Sequence, residues 1–353
     1  MQVGDFYEFF GDDADLVGDE LDLKVSQKAA GGTTHPMAGV PRTELMPYLR
    51  ALVERGYRVA VADQREETLD DGSHERTVTR VVTPGTLLDA GDAAARYLAA
   101  LVRVDGRYGL SLVDATTGEF RATTADAPEA AVAELARFDP TEVLPGPDLR
   151  DDDAILTRLR EATAATLTLH EVRAFGPGRA RRALADQFGE GAVDGVGLER
   201  PAIAAAGAAL AYVAATNEPV TAAMTRIQAY DGSDHVGLDA TTRRNLELVE
   251  PMTGEGLTLL DTVDHTKTAA GRRLLREWLL RPRRDAVTAE RRHDAVEALA
   301  AAPLARDRLT ELLDDAADLE RLAARIASGS ADATDLMRLR ETLAPLPDLP
   351  KTV

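Results

Sequence analysis

The sequence predicts a multidomain α/β plus all-α protein: two mixed α/β units, residues 1–90 and 91–228, followed by a helical unit, 229–353. Three observations carry this. In the first two units short apolar runs interleave with segments of helical spacing, whereas in the third only the helical spacing recurs. Turn signals such as Asp105-Gly106 and Gly118 separate extended runs at hairpin distances. A chain of 353 residues is long enough for two or three domains with substantial cores.

The first unit opens on Gly4-Asp5-Phe6-Tyr7-Glu8-Phe9-Phe10, four aromatics in seven residues of a chain that is 4% aromatic. If extended, it sets Phe6, Glu8 and Phe10 on one side and Tyr7 and Phe9 on the other. An aromatic beside a carboxyl group suits wedging into a base stack and bonding a base edge. The plainer reading is a half-buried strand with one solvated Glu. Residues 12–21 have apolar positions at helical spacing. Residues 29–36 read as a Gly/Thr loop and 36–41 as a rigid turn, two prolines being too many for a central strand. Leu45, Leu49, Leu52 and Val53 mark a helix with Pro47 in its first turn and Gly56 at its end. Residues 59–62 and 77–82 read as short strands, the first of them buried, and Thr83-Pro84-Gly85-Thr86 closes the unit.

In the second unit, residues 101–105, 108–114 and 119–124 predict a three-stranded meander. Helical stretches follow near 127–137, 151–163 and 179–188, with a strand at 141–144. Residues 201–216, Ala-rich and apolar on nearly every face, predict a buried helix that Pro201 begins. Asp105, Asp114 and Glu119 are the residues that a Mg²⁺-dependent nuclease would use. Asp105 fits a hairpin turn and Glu119 starts a strand, so convergence on a metal is not expected.

The third unit is helical throughout. Trp278, with Leu274, Leu275 and Leu279 at helical spacing, reads as core. Residues 267–292 hold nine basic residues against three acidic ones, and we read these arginines as paired with acidic neighbours. Residues 344–353 form a Pro-rich tail.

The net charge is −19, with four Lys against 37 Arg, which suggests a salt-adapted surface kept hydrated by carboxylates. Such a surface argues against nucleic acid at low salt. At molar salt the Debye length is about 3 Å and DNA must be held by shape and stacking. There is no Cys, no run of eighteen apolar residues and no basic-then-apolar leader, so a cytoplasmic setting without disulfides is expected. The six His show no paired ligand spacing, and no metal site is expected.

The order of motifs is more specific than any of them. After the aromatic heptad come Pro36-Met37-Ala38-Gly39-Val40-Pro41, the run from Tyr48 to Gln64, and Arg80-Val81-Val82-Thr83-Pro84-Gly85-Thr86. Residues 237–248 (GLDATTRRNLEL), 257–261 and 271–279 follow. Together these resemble the N-terminal half of the MutS family of DNA mismatch repair proteins. The resemblance implies a mixed α/β mismatch-binding domain, an RNase H-like α/β connector and a helical core (lever) domain. It makes Phe6 the wedge that enters the minor groove at a mispair and Glu8 the base-contacting carboxyl, which in its protonated form would donate to purine N7. Lys28 and Arg42 are the candidates for backbone contacts. Pro41-Arg42-Thr43 departs from the family's usual Pro-Tyr-His.

The implied partners are mismatched duplex DNA, a MutL-like repair protein and a separate C-terminal MutS half, with no membrane. No Gly-x-x-x-x-Gly-Lys-Ser/Thr occurs in the sequence. The family's ATPase, with its ATP and Mg²⁺, lies C-terminal to the motifs seen here, so neither catalysis nor a cofactor is expected from these residues. The alternatives are a non-catalytic protein-interaction fragment of a repair complex and, further off, the Mg²⁺-dependent nuclease.

Overall fold

The computed structural model describes residues 1–30, 33–68, 74–88, 95–254 and 256–347. The first unit starts with β1 (Gln2–Val3), β2 (Phe6–Phe10), α1 (Asp12–Leu21), β3 (Ser26–Ala30), β4 (Thr33–Pro41) and α2 (Leu45–Glu54). Its sheet has the order β1-β2-β4-β3, and α1 and α2 cover one face through Ala14, Val17, Leu45, Leu49, Leu52 and Val53. β5 (Val59–Thr68) and β6 (His74–Val82) form a separate two-stranded ribbon.

Three expectations are corrected here. The loop at 29–36 is a β3–β4 hairpin, with Gly31 and Gly32 outside the described residues. The turn at 36–41 is part of β4, an inner strand. Its two neighbours divide it, β2 pairing with Met37 to Pro41 and β3 with Thr33 to Met37. Each proline therefore sits where β4 has a single neighbour, and the missing N–H removes no ladder bond. The short strands at 59–62 and 77–82 extend into the ribbon, and of residues 59–62 only Val61 is buried.

The second unit is a six-stranded mixed sheet. β7 (Tyr97–Val104), β8 (Arg107–Asp114) and β9 (Glu119–Ala125) form the predicted antiparallel meander. α3 (Pro128–Phe138) leads to β10 (Glu142–Pro145), and α4 (Asp153–Ala162) to β11 (Thr166–Leu167). α5 (Pro177–Phe188), α6 (Glu190–Gly195) and α7 (Arg200–Asn217) precede β12 (Gln228–Ala229), and the order is β11-β10-β7-β8-β9-β12. The sheet is covered on both faces. Leu101, Leu110 and Leu112 meet α3 and α4, while Leu98, Val113 and Phe120 meet α5 and α7.

The Ala-rich composition of α7 follows from distance. A Cβ on Gly109 of β8 would stand 1.9 Å from the Pro201 carbonyl oxygen, and one on Gly207 would stand 2.4 Å from Ala180 Cα. Larger side chains at this junction would force helix and sheet apart.

The turn Thr83-Pro84-Gly85-Thr86 leads from the first unit into the second, and one buried carboxylate holds it. Glu142, 0% exposed, accepts from Thr83 Oγ1 (2.6 Å) and the Gly85 N–H (3.0 Å) through one oxygen. Through the other it accepts from Thr168 Oγ1 (2.6 Å) and the Tyr212 hydroxyl (2.7 Å). The predicted boundary at residue 90 lies outside the described residues.

The third unit comprises α8 (Ala240–Asn245), α9 (Leu259–Val263), α10 (Ala269–Leu280), α11 (Ala286–Ala301), α12 (Pro303–Asp314), α13 (Leu319–Ala327) and α14 (Ala333–Leu343). Thr258 with Asp261 and Asp332 with Asp335 build capping boxes at α9 and α14. Several basic residues of 267–292 pair with acids, among them Lys267 with Asp314, Arg273 with Asp318 and Glu320, and Arg281 with Glu134 and Glu277. Trp278 is not core: it is 38% exposed, and Arg292 stacks 3.6 Å from its ring centroid. Leu274, one turn before it, is 46% exposed, and Leu280 is the one buried residue of α10. Residues 348–353 of the Pro-rich tail lie outside the described residues.

Candidate nucleic-acid interface

β2 sorts its aromatics by face as the alternation requires. Tyr7 is 8% exposed, and Phe9 packs against both small cores of the first unit. Phe6 on the other face is 48% exposed. A large apolar ring held in the open by a paired strand is costly in water unless something covers it.

The strand cannot swing, because its buried side is bolted to the ribbon. The Tyr7 hydroxyl donates to Asp63 Oδ1 at 2.5 Å, and Thr79 Oγ1 donates to the other oxygen. Burial and then the Asp63 bond push the Tyr7 phenol up to about 12. Burial raises the Asp63 carboxyl, but the bonds from Thr79 and Tyr7 and the nearby Arg80 outweigh it and leave it below the usual carboxylate range. Arg76 Nε adds a bond of 2.7 Å to the Gln2 carbonyl, and Gln2 Oε1 accepts from the Gln64 N–H at 3.0 Å.

On the outer face Phe6 lies beside Pro41, Glu8 beside Gly39 and Phe10 beside Met37. Lys28 reaches from β3 across the Phe10 ring, 5.5 Å from its centroid, to meet Glu8 Oε2 at 2.5 Å. The Glu8 side chain is 12% exposed and Lys28 38%. Arg42 is exposed just past the Pro41 partner of Phe6, and its N–H bonds the Asp5 carbonyl at 2.8 Å. The structure thus gathers Phe6, Glu8 and Lys28 on one surface, whereas Arg42, one residue past Pro41, carries its charge toward Tyr7 and Asp63 on the opposite side. No local pattern signals that Lys28 covers Glu8, nor that Tyr7 and Asp63 anchor the face. A carboxylate following the apolar run at 59–62 was the one available signal.

Asp105, Asp114 and Glu119 do not converge. Asp105 sits in the β7–β8 turn at φ 52° and pairs with Arg200. Asp114 and Glu119 face each other across β8 and β9, the first bonded to Thr116 and the second to Arg121 and Tyr97. Among the described residues no group of acids and histidines could hold a metal, and no helix is long and apolar enough to cross a membrane.

Comparison with known families matches most of the chain in three pieces. MutS domain I matches residues 1–91, MutS domain II residues 96–227 and MutS domain III residues 241–353. The DNA mismatch repair protein MutS 1 of Haloarcula marismortui is 56% identical over 98% of this chain and 38% of its own length. MutS 1 of Halobacterium salinarum is 58% identical over 99% of this chain and 40% of its own length. MutS of Symbiobacterium thermophilum is 40% identical, over 99% of this chain and 41% of that protein. The chain thus spans about 40% of the length of these relatives. With three successive domains in the same order, the chain belongs to the MutS family and carries its domains I to III.

Proposed function

We propose that these residues read mispaired duplex DNA for mismatch repair, with Phe6 as the wedge. The observation that carries the reading is the exposed Phe6 ring on a strand whose other face is anchored through Tyr7 and Asp63. Inserted from the minor groove, such a ring unstacks one step and kinks the duplex. A mispaired step unstacks at lower cost than a paired one, so deformability supplies the selectivity. Glu8 then meets the base edge, for which Lys28 must release it. Lys28, once free, and Arg42 are the groups that would take backbone phosphates. The role is one of recognition, with no chemistry by these residues, in a cytoplasmic setting. The matching of domain I to residues 1–91 and the names of the relatives support it. Titration of matched and mismatched duplexes tests it: a preference for the mismatch in wild type that Phe6→Ala abolishes is the expected result.

A second reading has its own observation. Leu169 and Val172 are 64% and 59% exposed on the connector, beside the edge strand β11. They suit a protein partner, such as a MutL-like repair protein, better than DNA. If that is the sole role, Phe6→Ala leaves every binding property of the chain unchanged.

A further inference from the structure

The outer face of β2 carries a closed ion pair where a base-reading carboxylate has to stand free. Register sets Glu8 over Gly39, which has no side chain to stand between them, and a Cβ there would lie 3.6 Å from Glu8 Cγ. Lys28 starts beside His35, further along β4 and two strands from Glu8. Its stem crosses the Phe10 ring and its ammonium meets Glu8 Oε2. A pair made over that span uses the length of both side chains and costs rotamer freedom at each end. The nearby Met1 ammonium is bonded at 3.0 Å to the Glu8 main-chain carbonyl, which leaves Lys28 as the cation on the carboxylate.

The three groups of this face lie at different depths. Phe6 is 48% exposed, the Lys28 side chain 38% and the Glu8 side chain 12%. A stacked duplex resting on the Phe6 ring is held off the level at which the pair lies. Opening the pair in that state would leave a half-covered carboxylate without its cation, beside phosphates, and a pair broken from one side leaves an uncompensated charge. The opening is offset only where both halves find new partners together, a base edge for Glu8 and a phosphate for Lys28. A step unstacked by the ring, with its backbone drawn down onto the sheet, offers both.

We propose that Lys28 is a specificity-determining residue: it exchanges Glu8 for a backbone phosphate on a mismatched duplex and stays on Glu8 when the duplex is matched. The inference rests on the reading of Phe6 as a wedge and adds a second condition to it. Deformability decides whether the ring enters the stack. The latch then penalises any duplex that does not bring a phosphate and a base edge within reach at once, which is discrimination by an unpaired charge held against the wrong partner.

Each phosphate neutralised contributes about −0.9 to the slope of log affinity against log salt on duplex DNA. Binding isotherms of the 353-residue chain on a mismatched and a matched duplex, over a potassium chloride series at one pH, therefore count the exchange. Lys28→Met, which keeps an apolar stem over Phe10, should make the mismatched slope less negative by about 0.9 and leave the matched slope alone. Glu8→Gln frees Lys28 from the start, so the matched slope should become more negative by about 0.9. Lys28→Arg, whose guanidinium serves carboxylate and phosphate alike, should keep both wild-type slopes. Equal changes on the two duplexes with Lys28→Met would show an ordinary backbone contact, and no change on either would show no contact; both results overturn the latch. Failure of the wedge is read separately, as a wild type without mismatch preference or a Phe6→Ala variant that keeps it, and it removes the exchange as well. The pair itself is read without DNA. Lys28 is one of four lysines, so side-chain nitrogen NMR can resolve its ammonium, and Glu8→Gln should shift that signal. An unshifted signal overturns the latch even where the wedge stands.

Discussion

Phe6 and Tyr7 are neighbours in sequence and lie on opposite faces of β2, and each makes a prediction. Base–aromatic stacking contributes about 1–3 kcal/mol. Phe6→Ala should lower the preference for mismatched over matched duplex by about that amount, with weak general binding retained in a gel-shift titration. Tyr7 concerns stability. Its phenol is raised to about 12 by burial and the Asp63 bond, so its neutral form is favoured in the folded state. The stabilisation it supplies is fully present below about pH 10 and fades as pH climbs through 12. Tyr7→Phe should cost about 1 kcal/mol at neutral pH, the net worth of one hydrogen bond, and should make stability fall less steeply in alkali. Urea melts at pH 8 and pH 11 check both. The face of each aromatic was legible from alternation alone. The Tyr7–Asp63 bond was not, since 56 residues separate its ends and no local pattern records such a pairing.

Elements were read well wherever one period ran without interruption. Helices α1, α2 and α7 and strands β8 and β9 follow the apolar spacing to within a residue, while β7 begins four residues before the expected 101. β4 escapes a sequence reading because proline argues against a strand flanked on both sides along its whole length, and β4 is flanked on both sides only at Met37. β11 and β12, two residues each, are too short to show any period. The junction turn was recognised as a turn, but its lock was hidden, since Glu142 reads as an ordinary strand residue. Glu142→Ala would leave three hydroxyls and one N–H without their acceptor at a buried site. At about 1–3 kcal/mol for each unsatisfied group, a loss of about 3 kcal/mol or more is expected in chemical denaturation. A denaturation midpoint within error of wild type would show that the lock is decorative. Gly85→Ala should act on the same lock, because its Cβ would stand 2.9 Å from Leu98 Cβ and 3.0 Å from the Glu142 carboxylate. Overpacking of that kind costs about 1–3 kcal/mol.

At the scale of the molecule, motif order made the family legible, whereas charge pattern alone pointed away from DNA. The arginine-rich stretch at 267–292 illustrates the difficulty. In sequence it resembles a basic patch, and in space Arg276 and Arg281 reach back to Asp139 and Glu134 of the connector. Such pairs form across a seam that sequence distance conceals. Over the whole chain 60 acidic residues stand against 41 basic ones, and the excess carboxylates repel one another. With a net charge of −19 unscreened, the fold should loosen as salt falls from molar to about 0.1 M, where the Debye length is about 10 Å. DNA affinity should stay flat or rise with salt, in contrast to the steep fall of a basic binder. Circular dichroism melts and binding isotherms over a salt series report both. Maximal stability at low salt together with a strongly negative binding slope would refute the salt adaptation.

The place of α7 in the chain has a consequence in time. One apolar face of the β7–β9 meander is covered by α7, yet the meander ends at Ala125 and α7 is complete only at Asn217. During synthesis at about 5–20 residues per second, that face stands open for roughly 5–20 s before its cover exists. For that interval a nascent connector is an adhesive surface on the ribosome, and a chaperone that captures exposed apolar strands is the partner it would meet first.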